Sequence, residues 1–397
     1  MRIALIASSL RLAGAEKQFC YVARELFEAG IDVRVFYLGA GDHYQNVLAD
    51  AGIPLRQIFN RGRPLLMLVR LMKELTAFRP HIVLASQFGD LVFAGPAGRL
   101  CHALVLGGIR SDGFYELRTL GRRWGALVKS AHGLIANSHG AKDNLTSEGV
   151  DVRKIAVVPN VIDLTEFDSK AAMLFVRPSP ADRVLVTAIG SLQSCKRFDR
   201  FLDGLALARQ REPRLFGVIA GEDVGEGPAL QQKAKGLGLL PGHVAFPGQC
   251  DHVPCLLSHS RLLVCCSEYE GFPNVILEAM AARLPVLTTP AGDAARIVKD
   301  GTTGHLLKPD DAHEMADCII RLVRDPALSS RMGEAGRKHV EENYNLKSLA
   351  PRVLSVFLDF ARKQGRASIA KMLERKPVEI GGSIARIADS RLTASAT

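Results

Sequence analysis

The sequence predicts an α/β protein made of two doubly wound parallel-sheet domains, and three observations carry that reading. Short apolar runs alternate with stretches of helical period along most of the 397 residues. The runs are apolar throughout rather than at every second residue, as in strands covered on both faces. The alternation halts once, in a polar, Pro-containing stretch at 163–182, and then restarts. The length suits two or three domains with ample core.

In the first half, strands are expected at 3–7, 33–38, 82–85, 104–109 and 134–136. Helices are expected near 15–29, 43–51, 64–78, 90–101, 115–131 and 139–149. The first strand-to-helix turn runs from Ser8 to Lys17 through Gly14 and Glu16. A glycine there admits a phosphate to the helix start, although packing explains a single turn glycine equally well. In the second half, strands are expected at 184–189, 215–220, 244–246, 262–266, 285–289 and 304–307. Helices follow near 311–324, 327–343 and 346–363, and 366–397 reads as a Ser-, Ala- and Arg-rich flexible tail. Two Rossmann-like domains result, with the active site expected in the cleft between them.

The stretch 261–289 organises the rest. It reads as strand, polar loop, helix, strand, with Asn274 as N-cap of the helix. Free amides and the helix dipole at such a loop favour an anion, such as a diphosphate. Glu270 lies in the loop. Glu278 lies four residues after Asn274 on the same helix face, its carboxylate leaning back toward the loop. Beside a diphosphate, a carboxylate needs neutral hydroxyls to bind, and a ribose diol fits. As a bare pair the two glutamates read as solvated charges, as Glu334 and Glu342 do at the same separation. The loop and helix context favours the functional reading.

Composition excludes other classes. No uncharged apolar run reaches 18 residues, and the first eight residues read as a strand rather than a signal peptide, so a cytoplasmic protein is expected. The eight cysteines are scattered without zinc-site spacing and are expected to be free thiols. No G-x-G-x-x-G or P-loop occurs, against a dinucleotide oxidoreductase or a triphosphatase. The net charge of +10 lacks the interleaved aromatic residues of a nucleic-acid platform, so no nucleic-acid partner is expected. Between 56 and 129 there are 12 Lys and Arg against 4 Asp and Glu, and 63–79 reads as a basic amphipathic helix. Two readings stay open for it: a surface for anionic membranes, or an ordinary solvated face. No D-x-D triplet occurs, and Asp310-Asp311 suits a helix cap, so no metal site is expected.

The run Glu270-Gly-Phe-Pro-Asn-Val-Ile-Leu-Glu278-Ala-Met-Ala-Ala resembles the paired-glutamate motif of family 4 retaining glycosyltransferases with the GT-B fold. The resemblance extends in order from about residue 1 to residue 365 and includes the Gly14-Ala-Glu16 turn and the 155–163 segment. It implies an acceptor-side domain at 1–165, a linker at 166–182 and a nucleotide-sugar domain at 183–345. It further implies a closing helix at 346–365 that crosses back to the first domain. The implied activity moves a sugar from a nucleoside diphosphate sugar to an acceptor hydroxyl with retention, without metal or cofactor. A glycan or lipid-linked acceptor, in cell-surface or lipid-linked glycan synthesis, is the expected context.

The resemblance implies that Lys196, the backbone of Gly271, Phe272, Asn274 and Val275, and the helix dipole hold the diphosphate. It implies that Glu270 positions the sugar and faces its developing positive charge, that Glu278 holds the ribose, and that Gly14 admits the phosphate or acceptor side. Glu270 and Lys196 are the expected catalytic residues. Ser191 joins the donor set by position, and Glu16, Lys17 and Arg110 are expected near the acceptor or sugar. The chain departs from the family pattern at five places. Ala13 and Val161 stand for glycines, Ser191 for an arginine and Arg197 for the glycine after the lysine. A histidine common near the end of the 104–109 strand is absent, and Gly108-Ile-Arg110-Ser-Asp112 stands there. Arg110 reads equally as a ligand contact or a surface ion pair. These departures keep two alternatives open: a non-catalytic nucleotide-sugar-binding subunit, or another GT-B enzyme such as an epimerase.

Overall fold

The computed structural model describes residues 1–39, 43–58, 62–121, 124–250, 252–380 and 383–386. The chain divides into two compact units, one formed by Met1–Asn160 with the residues from Leu346 onward, the other by Val161–Asn345.

The first unit holds strands β1 (Arg2–Ala7), β2 (Asp32–Tyr37), β3 (Leu55–Gln57), β4 (Ile82–Ala85), β5 (Leu104–Ile109), β6 (Gly133–Ala136) and β7 (Ile155–Val157). They form one parallel sheet in the order β3-β2-β1-β4-β5-β6-β7. Ile3 on β1 pairs with Val33 on one side and Ile82 on the other. Helices cover the sheet, so β4, β5 and β6 are buried along their whole length, which explains their unbroken apolar character. Phe36, Phe78, Phe88, Val83 and Val105 belong to its core.

The second unit holds β8 (Val184–Ile189), β9 (Leu215–Ala220), β10 (Val244–Gly248), β11 (Leu262–Cys265), β12 (Val286–Thr288) and β13 (Gly304–Leu306). Its sheet is again parallel, in the order β10-β9-β8-β11-β12-β13. Successive residues of β11 feed opposite faces. Leu262 and Val264 join a core with Phe201, Leu205 and Ile319, whereas Leu263 and Cys265 join one with Ile276, Leu277 and Met280. All eight cysteines carry free thiols.

Several expectations need correction. The stretch read as a linker at 166–182 overlaps a helix, Leu164–Ala171, whose cap Asp163 accepts from the Glu166 amide at 3.0 Å. Leu164 and Phe167 bury in the second unit's core, so that unit begins at Val161. The expected tail starts with a helix, Ala367–Glu374, which buries Ile369, Ala370 and Leu373. Strands Pro377–Ile380 and Ser383–Arg386 then pair antiparallel, and 387–397 lie outside the described residues. The single helix expected at 115–131 is two, Phe114–Leu120 and Trp124–Ser130. β3 was not expected, because its three residues offer one half-buried leucine and two exposed polar side chains.

Candidate functional site

In a doubly wound sheet, ligands bind outside the carboxyl ends of the strands where the strand order reverses. In the second unit the order reverses between β8 and β11. The segments leaving those two strands carry Lys196 and Glu270.

After β8 the chain passes Gly190 and Ser191 into a short 3-10 turn, Ser194–Lys196, and then into the helix Phe198–Arg211. A Cβ on Gly221, which follows β9, would lie 1.9 Å from the Gly190 carbonyl oxygen, so only glycine lets the two loops meet there. The Lys196 stem runs over Gly190, whose own Cβ would be 3.4 Å from Cε. Lys196 Nζ then reaches Glu270 Oε1 at 2.5 Å, with the two side chains 22% and 12% exposed. Burial works against the charge on Lys196. The Glu270 carboxylate more than offsets it and holds the ammonium above its ordinary pKa of 10.5.

Three further contacts set the Glu270 loop. The Ser267 hydroxyl donates to Glu270 Oε1 at 2.8 Å, and the Thr289 hydroxyl donates to the Ser267 carbonyl at 2.6 Å. The Glu268 amide donates to the Cys195 carbonyl at 2.8 Å, joining the Glu270 loop to the Lys196 turn. Gly292 closes the arrangement from the loop after β12. Its φ is +56°, and a Cβ there would stand 2.4 Å from the Glu270 carbonyl oxygen and 2.6 Å from that of Gly271. The sequence reading missed Gly292; the available signal was a Pro-Ala-Gly-Asp turn directly after a buried strand.

The helix expected at Asn274 is Asn274–Ala281, but its cap position is Pro273, one residue earlier than expected. Proline has no side chain able to take up the first-turn amides, and the Ile276 amide donates to the Pro273 carbonyl at 3.0 Å. Phe272 is buried against the Tyr344 ring at 5.8 Å, and Gly271 is buried beside it. Asn274, Val275 and Glu278 are half-buried along the first turns of the helix. Of the expected donor residues, Lys196 and Glu270 meet directly, and Gly271 is held by the close approach of Gly292. Ser191 accepts a bond from the Gln193 side chain at 2.7 Å and brings no charge. Arg197 does not replace the missing arginine: its guanidinium is taken by Asp199, Glu268 and Asp310.

In the first unit the strand order reverses between β1 and β4. Gly14 opens the helix Gly14–Glu28 in an exposed position after an extended Ala13 that makes no side-chain cap. Glu16, expected near an acceptor, is instead 5% exposed and accepts from the Ser9 hydroxyl at 2.7 Å, so it ties down the turn. Lys17 is half-buried next to it. Asp90, after β4, is buried, and burial pushes its carboxyl up to about 7 against the bonds it accepts from Gln87 and Ser8. Arg110 donates from Nε to the Ser86 carbonyl at 3.3 Å, and burial lowers its pKa to about 10. No carboxylate pairs with it among the described residues. The surface ion pair left open for Arg110 is therefore not formed with them.

Residues 12–166 match the family profile described as Glycosyltransferase Family 4, and residues 169–339 that described as Glycosyl transferases group 1. The chain belongs to the family 4 glycosyltransferases of GT-B fold. The chain is 29% identical over 194 residues to the α-D-kanosaminyltransferase of Streptomyces kanamyceticus, covering 48% of the chain and 49% of that protein. It is 33% identical over 149 residues to the N-acetyl-α-D-glucosaminyl L-malate synthase of Bacillus anthracis, covering 37% of the chain and 39% of the relative. The match thus spans less than half the length of either curated relative. The fold of the chain is similar to that of Anabaena HepE, solved in complex with UDP and glucose. The TM-score is 0.78 at 21% identity, over 90% of this chain and 99% of HepE.

Proposed function

We propose that the protein transfers a hexosyl group from a nucleoside diphosphate sugar to an acceptor hydroxyl, with retention at the anomeric carbon. The observation that carries this is the 2.5 Å Lys196–Glu270 pair at the strand reversal, beside the start of the helix Asn274–Ala281. Lys196 and the first-turn amides neutralise the departing diphosphate as the bond from the anomeric carbon to its oxygen breaks and the bond to the acceptor oxygen forms. Glu270 faces the positive charge that develops on the sugar between those events. Glu278, on the helix face shared with Asn274, takes the ribose hydroxyls. Arg110 and Lys17 serve the acceptor or sugar side, Arg110 because a half-buried cation that meets no carboxylate among the described residues favours a polar or anionic group.

HepE is solved with UDP and with UDP-glucose, which makes uridine diphosphate sugars the first donors to test. A thermal-shift panel of UDP-, GDP- and ADP-sugars is expected to raise Tm with one base by mass action. Glu278→Ala is expected to abolish that shift while the ligand-free Tm holds. No shift with any donor, or an equal shift in Glu278→Ala, overturns the donor site. One departure favours a second reading: with Ser191 uncharged and Arg197 taken up, the protein binds donor without transferring it. Donor binding with neither transfer nor donor hydrolysis would select that reading.

Transfer is proposed to need no divalent ion. Glu268 and Glu270, the two carboxylates spaced to share a cation, are each paired with a different side chain, Arg197 and Lys196. The expected result is full activity in excess EDTA. Loss of activity that Mg²⁺ or Mn²⁺ restores shows that the diphosphate is held through a metal.

The acceptor is proposed to be lipid-linked or part of a cell-surface glycan, met by a protein peripheral to the inner face of a membrane. Among the described residues no helix is long and apolar enough to cross a membrane. The helix Pro64–Phe78 buries Leu71, Leu75 and Phe78 but leaves Leu65 at 79% and Val69 at 59% exposed, beside exposed Arg63, Arg70 and Lys73. Apolar side chains flanked by cations suit an anionic bilayer surface. The protein is expected to float with phosphatidylglycerol vesicles and not with phosphatidylcholine ones, and Leu65→Glu with Val69→Glu should release it. Equal recovery from both vesicle types removes the membrane from the proposal.

A further inference from the structure

Arg197 takes a left-handed backbone conformation, φ 48° and ψ 44°, at the cap of the helix Phe198–Arg211. Glycine adopts that conformation freely and other residues do so at a cost. A side chain retained there has to return something. The Arg197 guanidinium forks onto both oxygens of Asp199 at 3.0 Å and also reaches Glu268 and Asp310 at 3.3 Å each. Asp310 is held from the other side by Arg200, through Nε at 2.6 Å and Nη2 at 2.9 Å. Arg200 is buried and also donates to the carbonyl of Cys266, where the Glu270 loop begins. Both carboxyls facing Arg197 from outside the Glu270 loop, Asp199 and Asp310, are held below their ordinary range.

Glu268 is therefore fastened to the Lys196 turn twice, by its amide to Cys195 and by its carboxylate to Arg197. It stands two residues before Glu270. We propose that Arg197 is a positioning residue for the donor: acting through Glu268, it holds the Glu270 loop against Lys196, so that the pair is aligned before any ligand arrives. It does not itself touch the diphosphate. The proposal rests on the donor-site reading above.

Arg197→Gly suits the left-handed backbone and deletes the fork, so it tests the contact without straining the fold. In the ligand-free variant, amide exchange at 268–271 is expected to rise roughly fivefold or more, the scale of a partly exposed charge network. The donor KM is expected to rise by a similar factor of about five while kcat stays within about threefold. Arg197→Lys, which keeps the charge but not the fork, should recover part of both effects. Glu268→Gln should reproduce them and add little to Arg197→Gly. Unchanged exchange at 268–271 overturns the proposal, as does faster exchange with an unchanged KM. A fall in kcat beyond about a hundredfold also overturns it, because that is the loss from deleting a direct contact to reacting groups. If the wild type binds no donor at all, the donor reading fails, and the exchange measurement alone decides whether Arg197 holds the loop.

Discussion

Lys196→Ala is expected to lower kcat/KM for transfer by about 10²–10³, the loss typical of deleting one preorganised electrostatic contact. No neighbour compensates. Ser191 is uncharged, and Arg197 is spent on three carboxylates. The alanine variant also strands Glu270, a side chain 12% exposed that keeps the bond from the Ser267 hydroxyl. A half-buried carboxylate that loses its cation destabilises the fold. The double variant Lys196→Ala/Glu270→Gln should therefore recover stability relative to the single one, yet remain inactive. Thermal melts and steady-state kinetics on the three variants separate the two effects. Activity within tenfold of wild type in Lys196→Ala sinks the site assignment. The pH dependence has a definite sign. Because the folded pKa of Lys196 is raised above 10.5, the stabilisation that its ammonium contributes is fully present below that value and is lost as alkali carries the pH through the folded one.

Gly292→Ala is expected to cut kcat/KM by about 10² while costing roughly 1–2 kcal/mol of stability from its left-handed backbone. The larger effect follows from what the new methyl meets. It would lie 2.4 Å and 2.6 Å from the Glu270 and Gly271 carbonyl oxygens, and backbone atoms cannot swing aside as a flexible side chain does. The loop must move, and with it the Glu270 carboxylate. An alanine at Gly149 is the control, because it too has positive φ, 86°, but meets nothing within 4 Å. Similar activity loss in both variants shows that backbone strain, not displacement of the loop, is responsible.

The parts legible from sequence were those governed by local pattern. The strands buried on both faces, such as β4, β5 and β11, show as unbroken apolar runs, and the loop-to-helix junction at 270–278 shows in its Gly-Phe-Pro-Asn break. What stayed hidden depends on direction. A cation at 197 is visible in the sequence, but its left-handed backbone aims it away from Lys196 toward Glu268 and Asp310. Glu16 reads as a polar residue beside a turn, and only the fold shows it bent inward to Ser9. The helix Leu164–Ala171 was obscured by a polar stretch, although Asp163 and Glu166 stand at capping spacing. The helix Ala367–Glu374 buries too few apolar residues for its period to stand out.

The Lys196–Glu270 contact also bears on how the protein turns over. On the transfer reading, an incoming diphosphate does not meet a bare cation; it exchanges with a carboxylate already in place at 2.5 Å. Donor affinity is then lower than the lysine alone would provide, by whatever the internal pair is worth. The same exchange runs in reverse after the sugar has left. Glu270, freed of the sugar, competes for Lys196 and helps to expel the spent nucleotide. A resident anion of this kind keeps the vacant site near neutrality, so adventitious phosphate is a weak competitor, and it sets a ceiling on product inhibition that a lysine without a partner would not have.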